Sequence, residues 1–277
     1  MNRFTFLIIF LFFFTIQSKA EYKVTGYIKN ASDNTIVTIV SYGINQSIVN
    51  ESRIINNTYE AIISKQFPEG IYTCRIHEFG KYNKMIEFDF IINYGEKECS
   101  FIIDFEKDSF PQFSNSLVNK NWYEFIKVQN FRLEVMKYLE AESSVIKSSV
   151  VPTNNKSNIL DIEKRELLAL QKEFISNNYC KWSTYAIKYD VNRPMLLNLN
   201  EKSYWKHFDT SNKEIIHTPL YQRLIFQYIL GFYNKTKAEN YKHAFNKIEL
   251  VFSSNELTRK WVLNYINSEL IDLISPN

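Results

Sequence analysis

The feature that most constrains this chain is a change of period near Pro111. From Glu21 to about Phe113, apolar residues alternate with polar ones in runs rich in β-branched and aromatic types, broken by short polar clusters. Side chains two apart share a strand face, so this pattern makes half-buried strands. It predicts strands over Tyr22–Lys29, Thr35–Tyr42, Ser47–Ile55, Thr58–Ser64, Gly70–Phe79, Lys84–Ile92 and Glu98–Phe105. After Pro111 the spacing becomes three and four. Trp122, Phe125, Ile126, Val128, Phe131, Val135, Met136 and Leu139 mark a helix from about Asn119 to Ser144. Further helices are expected over Ile159–Ser176, Trp182–Tyr189, Pro219–Tyr233, Ala238–Phe252 and Glu256–Ile274. The expected class is therefore α+β: an antiparallel β-sandwich or barrel-like domain over residues 21–113, then an all-helical domain over 114–277. A solvated, flexible linker is expected near 148–158, around Pro152 and Asn154-Asn155-Lys156-Ser157.

With only 6 Gly and 6 Pro in 277 residues, the turns must be built from Asn, Asp and Ser. Asn tolerates the left-handed backbone better than most non-glycine residues, so Ser32-Asp33-Asn34 and Ile55-Asn56-Asn57 read as turns. Thr218 before Pro219, and Ser254 before Asn255-Glu256, read as helix starts. The Asn-x-Ser/Thr sites at Asn30, Asn45, Asn50, Asn56, Asn155 and Asn234 read as by-products of this composition.

Residues 1–20 are an address. Arg3 precedes an apolar run from Phe4 to Phe14, and Ser18-Lys19-Ala20 supplies a small-x-small exit, the marks of a signal peptide cleaved after Ala20. Gln17, Ser18 and Lys19 interrupt the run before the roughly 20 apolar residues of a membrane-spanning helix, so no stable span is expected after cleavage. Removing the leader takes away Arg3 and Lys19 and no acid, leaving 31 basic and 30 acidic residues from 33 and 30. A near-neutral chain gives no basic stripe for nucleic acid or an anionic membrane surface.

Few residues suggest chemistry. Cys74 shares a strand face with Tyr72 and Ile76, and Cys99 with Phe101 and Ile103, so both thiols face a core. In an exported protein they would be either buried free thiols or a structural Cys74–Cys99 disulfide. Cys180, beside Lys181, is the remaining thiol. His77, His207, His217 and His243 have no partner at ligand spacing, so no metal site is expected. Glu87 and Asp89 share a strand face that alternation assigns to solvent. No Gly-x-Ser-x-Gly elbow occurs, and no catalytic residue or cofactor is assigned. The densest segment is Tyr204-Trp205-Lys206-His207-Phe208-Asp209. Tyr204, Trp205, His207 and Asp209 would form either a recognition surface or, for the aromatics, a cap on a helical core.

Tyr22-Lys23-Val24-Thr25-Gly26-Tyr27-Ile28, Asn56-Asn57-Thr58-Tyr59-Glu60-Ala61 and Ser114–Trp122, with the Tyr204–Asp209 segment and Ile215–Leu220, resemble exported TlpA-like thioredoxin-family proteins. The likeness is to their N-terminal β-rich domain of unknown function and the helical segment that follows it. Where that family carries Gly in the hairpin, this chain has Asn57. The family's redox chemistry resides in a Cys-x-x-Cys of a following thioredoxin domain; no position here matches either cysteine, so no catalytic residue carries over. The resemblance implies an exported, periplasmic or cell-envelope protein, non-catalytic, binding an envelope protein or a separate thioredoxin-like protein. The alternatives are thiol–disulfide exchange through Cys180 or Cys99, or a truncated relic of a redoxin protein.

Overall fold

The computed structural model describes residues 21–43, 46–78, 81–107, 110–146, 154–233 and 238–270. The leader with its cleavage site after Ala20 lies outside them, as do residues 148–153 of the expected linker, Asn45, Asn234 and the tail beyond Leu270. The class is α+β, with strands first and helices after.

The strands are β1 (Glu21–Lys29), β2 (Thr35–Ser41), β3 (Ser47–Arg53), β4 (Thr58–Ser64), β5 (Gly70–Glu78), β6 (Lys81–Ile92), β7 (Glu98–Asp104) and a short β8 (Gln112–Ser114). They form two four-stranded sheets, ordered β4-β1-β7-β8 (sheet A) and β3-β2-β5-β6 (sheet B). The sheets face each other through Tyr22, Val24, Ile63 and Phe101 on one side and Val37, Ile39, Tyr72 and Phe90 on the other, all buried. Sheet A departs from the expected antiparallel arrangement: β1 runs parallel to β7, with Val24 opposite Cys99 and Ile28 opposite Ile103. Alternation has the same period in both directions, so it fixes faces and not strand sense. Gly26 is required where it sits, because a Cβ there would meet the Phe101 ring at 2.4 Å.

Five asparagines hold left-handed backbone: Asn30, Asn56, Asn57, Asn115 and Asn198, with φ between 50° and 61°. Asn56 and Asn57 make the two-residue β3–β4 hairpin closed by Ile55 and Thr58, supplying the positive φ that such a turn needs.

The helices are α1 (Leu117–Ile146), α2 (Asn154–Asn177), α3 (Lys181–Lys188), a short α4 (Arg193–Leu196), α5 (Leu220–Phe232), α6 (Ala238–Val251) and α7 (Glu256–Tyr265), which continues as a π turn, Ile266–Leu270. Helix α2 begins at Asn154, inside the stretch expected to be linker. The α7 cap is Asn255 and not Ser254: its Oδ1 accepts from the backbone of Leu257 and Thr258 at 3.0 and 3.3 Å. Thr218 stands one residue further out than expected, with Pro219 at the cap of α5, yet its hydroxyl still accepts from Leu220 N at 3.3 Å.

One hydrophobic core runs through both halves, from Tyr22 in β1 to Leu270 after α7. Helix α5 and its neighbours lie against the outer face of sheet B. Trp261 Nε1 donates to Gly43 O at 2.6 Å, and Gly70 approaches the His217 carbonyl so closely that a Cβ would stand 3.1 Å from it.

Candidate functional site

The Tyr204–His207 segment is a single 3-10 turn. Tyr204 is buried against Trp205, Phe208, Tyr228 and Phe232, with centroids 4.9–5.7 Å apart, and its hydroxyl donates to Leu224 O at 2.9 Å. Trp205 packs on Tyr228 and Phe252. His207 is exposed. The Asp209 carboxylate accepts from Ser211 N and Oγ at 3.0 and 2.6 Å, closing an Asx turn. The Asp209 carbonyl accepts from the Tyr189 and Tyr221 hydroxyls. The aromatics of this segment belong to the core, and its three polar side chains, Lys206, His207 and Asp209, sit at the surface.

Cys74, Cys99 and Cys180 are all buried free thiols. Cys74 and Cys99 project into the sandwich from opposite sheets, and burial, with the proximity of Cys99, pushes the Cys74 thiol up. Burial pushes Cys99 up as well, helped by Glu96 and Glu98. An attacking thiolate needs the reverse, a depressed pKa and access. Among the described residues, no group of three or more His, Cys, Asp and Glu side chains is placed to hold a metal ion, and no helix is long and apolar enough to cross a membrane.

A groove with a built floor lies where the sandwich fails to close. Strand β6 is the edge of sheet B and β8 the edge of sheet A, and the start of α1 is wedged between them. Left-handed Asn115 turns the chain into α1. Ser116 Oγ accepts from Asn119 N at 3.2 Å and donates to Glu96 Oε2, while Glu96 Oε1 accepts from Val118 N at 3.0 Å. A hydroxyl and a carboxylate thus satisfy two of the helix's orphan donors, and the negative charge suits a helix N-terminus.

So held, α1 clamps the free edge of β6. Asn119 accepts from Ile91 N at 2.7 Å and donates to Ile91 O at 2.8 Å, as a neighbouring strand would, and the Tyr123 hydroxyl donates to Asp89 O at 2.7 Å. Further along the same edge the clamp ends. There a groove of about 460 Å³ opens, lined by Met85, Ile86, Glu87, Phe88, Ile103, Phe110, Pro111, Tyr123 and Ile126. Its floor is aromatic: Phe88 meets Phe101 edge-to-face with centroids 5.0 Å apart, and Tyr123 packs at a tilt on Phe113 at 4.8 Å. At its rim Met85 is 59% exposed and Phe110 42%.

Behind this groove runs a polar seam. Glu87 is exposed as expected and pairs with Arg75 at 2.8 Å. Asp89 is not: its side chain is only 12% exposed, bound in a fork by Arg223 of α5, whose second nitrogen lies 2.9 Å from Oδ1. Thr73 also donates to Asp89 Oδ1 at 2.7 Å, and Tyr42 shares a 2.7 Å hydrogen bond with Thr73. The assignment of this face to solvent fails at Asp89 because helices cover that end of sheet B. A crevice of about 170 Å³ continues past Asp89 and Arg223 to Asp190, which accepts from Gln129 at 2.5 Å and from Asn192 N at 2.7 Å. Burial raises the Asp190 carboxyl above its ordinary range, with the Asn192 and Gln129 hydrogen bonds opposing.

The chain matches no family model, no curated protein and no solved structure. Tyr123, Phe110 and Arg223, which shape the groove and seam with Asn119, carry no sign of that role in the sequence, and Asn119 stands out there only as a helix start. Asn119 had one visible sign: it follows Ser116 by three residues at a helix start, where an amide is free to turn inward. Arg223 had none, because its partner Asp89 lies 134 positions away.

Proposed function

We propose that the mature chain is an exported, non-catalytic binding module of the cell envelope, related to the N-terminal part of TlpA-like thioredoxin-family proteins. The observation that carries the binding role is the groove at the open side of the sandwich, concave and lined mainly by apolar side chains of β6, β7, α1 and the Phe110-Pro111 segment. The closed remainder of the sandwich and the α1 clamp hold that surface in place. Its partner on this reading is an envelope protein or a separate thioredoxin-like protein. The burial of Cys99 and Cys180 speaks against exchange chemistry by this chain, since thiolate attack needs an accessible sulfur.

The test pairs an insulin-reduction assay on purified protein starting at Glu21 with fractionation of cells making the full sequence. The expected result is background reduction, and an envelope-fraction protein whose N-terminus is Glu21. Turnover lost on Cys180→Ser or Cys99→Ser would replace the binding role with an enzymatic one. Full-length protein retained in the cytoplasm would overturn export.

A further inference from the structure

The groove has a second property, which concerns backbone and not side chains. In an antiparallel pair, successive residues of an edge strand point their N–H and C=O alternately inward to the partner strand and outward to the free edge. Ile91 and Asp89 point outward, since Asn119 and Tyr123 bond their backbone atoms. By the same alternation Glu87 and Met85 point outward too, while Phe88 and Ile86 bond to β5 opposite Cys74 and Ile76. Among the described residues, no group bonds the outward backbone atoms of Glu87 or Met85. These bare donors and acceptors are collinear with the pair that α1 already satisfies. They border the groove, so the α1–edge interface continues directly into a stretch of the same edge that no described residue fills.

Resting on the binding role above, we infer that the groove takes an extended peptide segment of a partner protein, added as a further strand along β6 at Met85 and Glu87. The partner backbone would exchange hydrogen bonds with those two residues, extending what Asn119 imitates at Ile91. Its alternate side chains would drop onto Phe88, Phe110, Tyr123 and Ile126, which requires them to be apolar. Those between would face the Glu87–Arg75 pair on the outer side of sheet B, which favours polar ones. The recognised chemistry is thus an apolar/polar alternating segment in β conformation, the mode in which main-chain bonds give affinity and pockets for alternate side chains give specificity. Long exposed edges invite pairing, and this one carries neither a proline nor a charged residue pointing into the sandwich between Met85 and Phe88.

The experiment titrates the mature chain with a fluorescein-labelled eight-residue peptide of alternating valine and threonine, read by anisotropy. Two further peptides are N-methylated, one at every valine amide and one at every threonine amide. Only one of these sets of amides can face β6. Saturable binding is expected, weakened by at least about tenfold in one methylated peptide and by no more than about twofold in the other, as loss of two main-chain hydrogen bonds implies. Glu87→Pro, which removes an outward N–H that edge strands can spare, should weaken the parent peptide similarly, whereas Glu87→Ala should not. Equal binding of all three peptides would overturn strand addition, and that result does not depend on how Glu87→Pro folds. Anilinonaphthalene sulfonate serves as an independent probe of the groove. If the dye binds saturably and Phe110→Glu abolishes this while no peptide binds, strand addition falls and the groove's binding role stands. If neither probe binds, both fall. Without peptide the chain should sediment as a monomer; a dimer dissolved by Glu87→Pro would assign the edge to a second copy and overturn the proposal.

Discussion

The triplets Phe90-Ile91-Ile92 in β6 and Phe101-Ile102-Ile103 in β7 are identical in sequence and opposite in fate. Their first and last residues face the interior of the sandwich in both cases. The middle isoleucine is fully buried in β6 and 39% exposed in β7, where its neighbours across the sheet are Tyr27 and Gln112. Sheet A thus has one dry face and one wet face. Sheet B is dry on both faces along the end that the helices cover, with Ile71, Thr73 and Ile91 shut from solvent beside Asp89 and Arg223. Alternation decides which residues share a face; what lies on that face is decided by chain a hundred or more residues away.

The largest effect expected from this contrast is on stability to urea. Ile91→Ala should cost about 2–5 kcal/mol, as methylene loss in a packed site does, and Ile102→Ala less than about 1 kcal/mol. Comparable losses would mean that sheet A is covered as well. Next, Asp89→Ala strands the Arg223 guanidinium and should cost about 2–3 kcal/mol. That is less than a fully buried pair loses, because the arginine is 39% exposed. Its counterpart on the wet face, Lys23→Ala, breaks the Lys23–Glu60 pair and should change stability by about 0.5 kcal/mol or less. Trp261→Phe removes the indole bond to Gly43 that helps pin the cover to sheet B. The expected loss is about 1 kcal/mol, again read from the urea midpoint.

The smallest expected effect has opposite signs on the two sides. Burial raises Asp190, so the fold holds its proton more tightly than the unfolded chain does. Stability from this group should fall as pH climbs from the ordinary value of about 3.8 through the raised one, and Asp190→Asn should remove that decline. Asp104, on the open sheet, is lowered mainly by the hydrogen bond from Asn30. Its contribution is present above the ordinary value and lost as pH falls through the depressed one, and Asp104→Asn should remove that loss. Thermal unfolding of both variants across acidic pH measures the two slopes.

Much of the architecture was legible because it is local. Seven strands follow from alternation, and Asn56-Asn57 supplies its own turn chemistry. Asn255 hides in plain view, one residue from the expected cap, since Ser and Asn are both strong N-caps and the sequence does not rank them. The parallel β1–β7 pair was not legible: Val24 and Cys99 are 75 residues apart, and their period is silent about direction. Strand β8 spans only three residues, too short to show a period. The aromatic run Tyr204–Phe208 was conspicuous as a possible recognition surface, but its rings are spent on Tyr228, Phe232 and Phe252. The groove was invisible because it is made by an edge, and which strand ends a sheet is a property of topology.

Amide hydrogen exchange along β6 in the ligand-free mature chain tests most directly whether that edge is open for a partner. The Glu87 and Met85 amides should exchange at rates near those of exposed loops, while Ile91, held by Asn119, and Phe88 and Phe90, held by β5, should be strongly protected. Protection of Glu87 and Met85 equal to that of Ile91 would mean that the edge is already occupied within the molecule, and would contradict a strand-accepting groove.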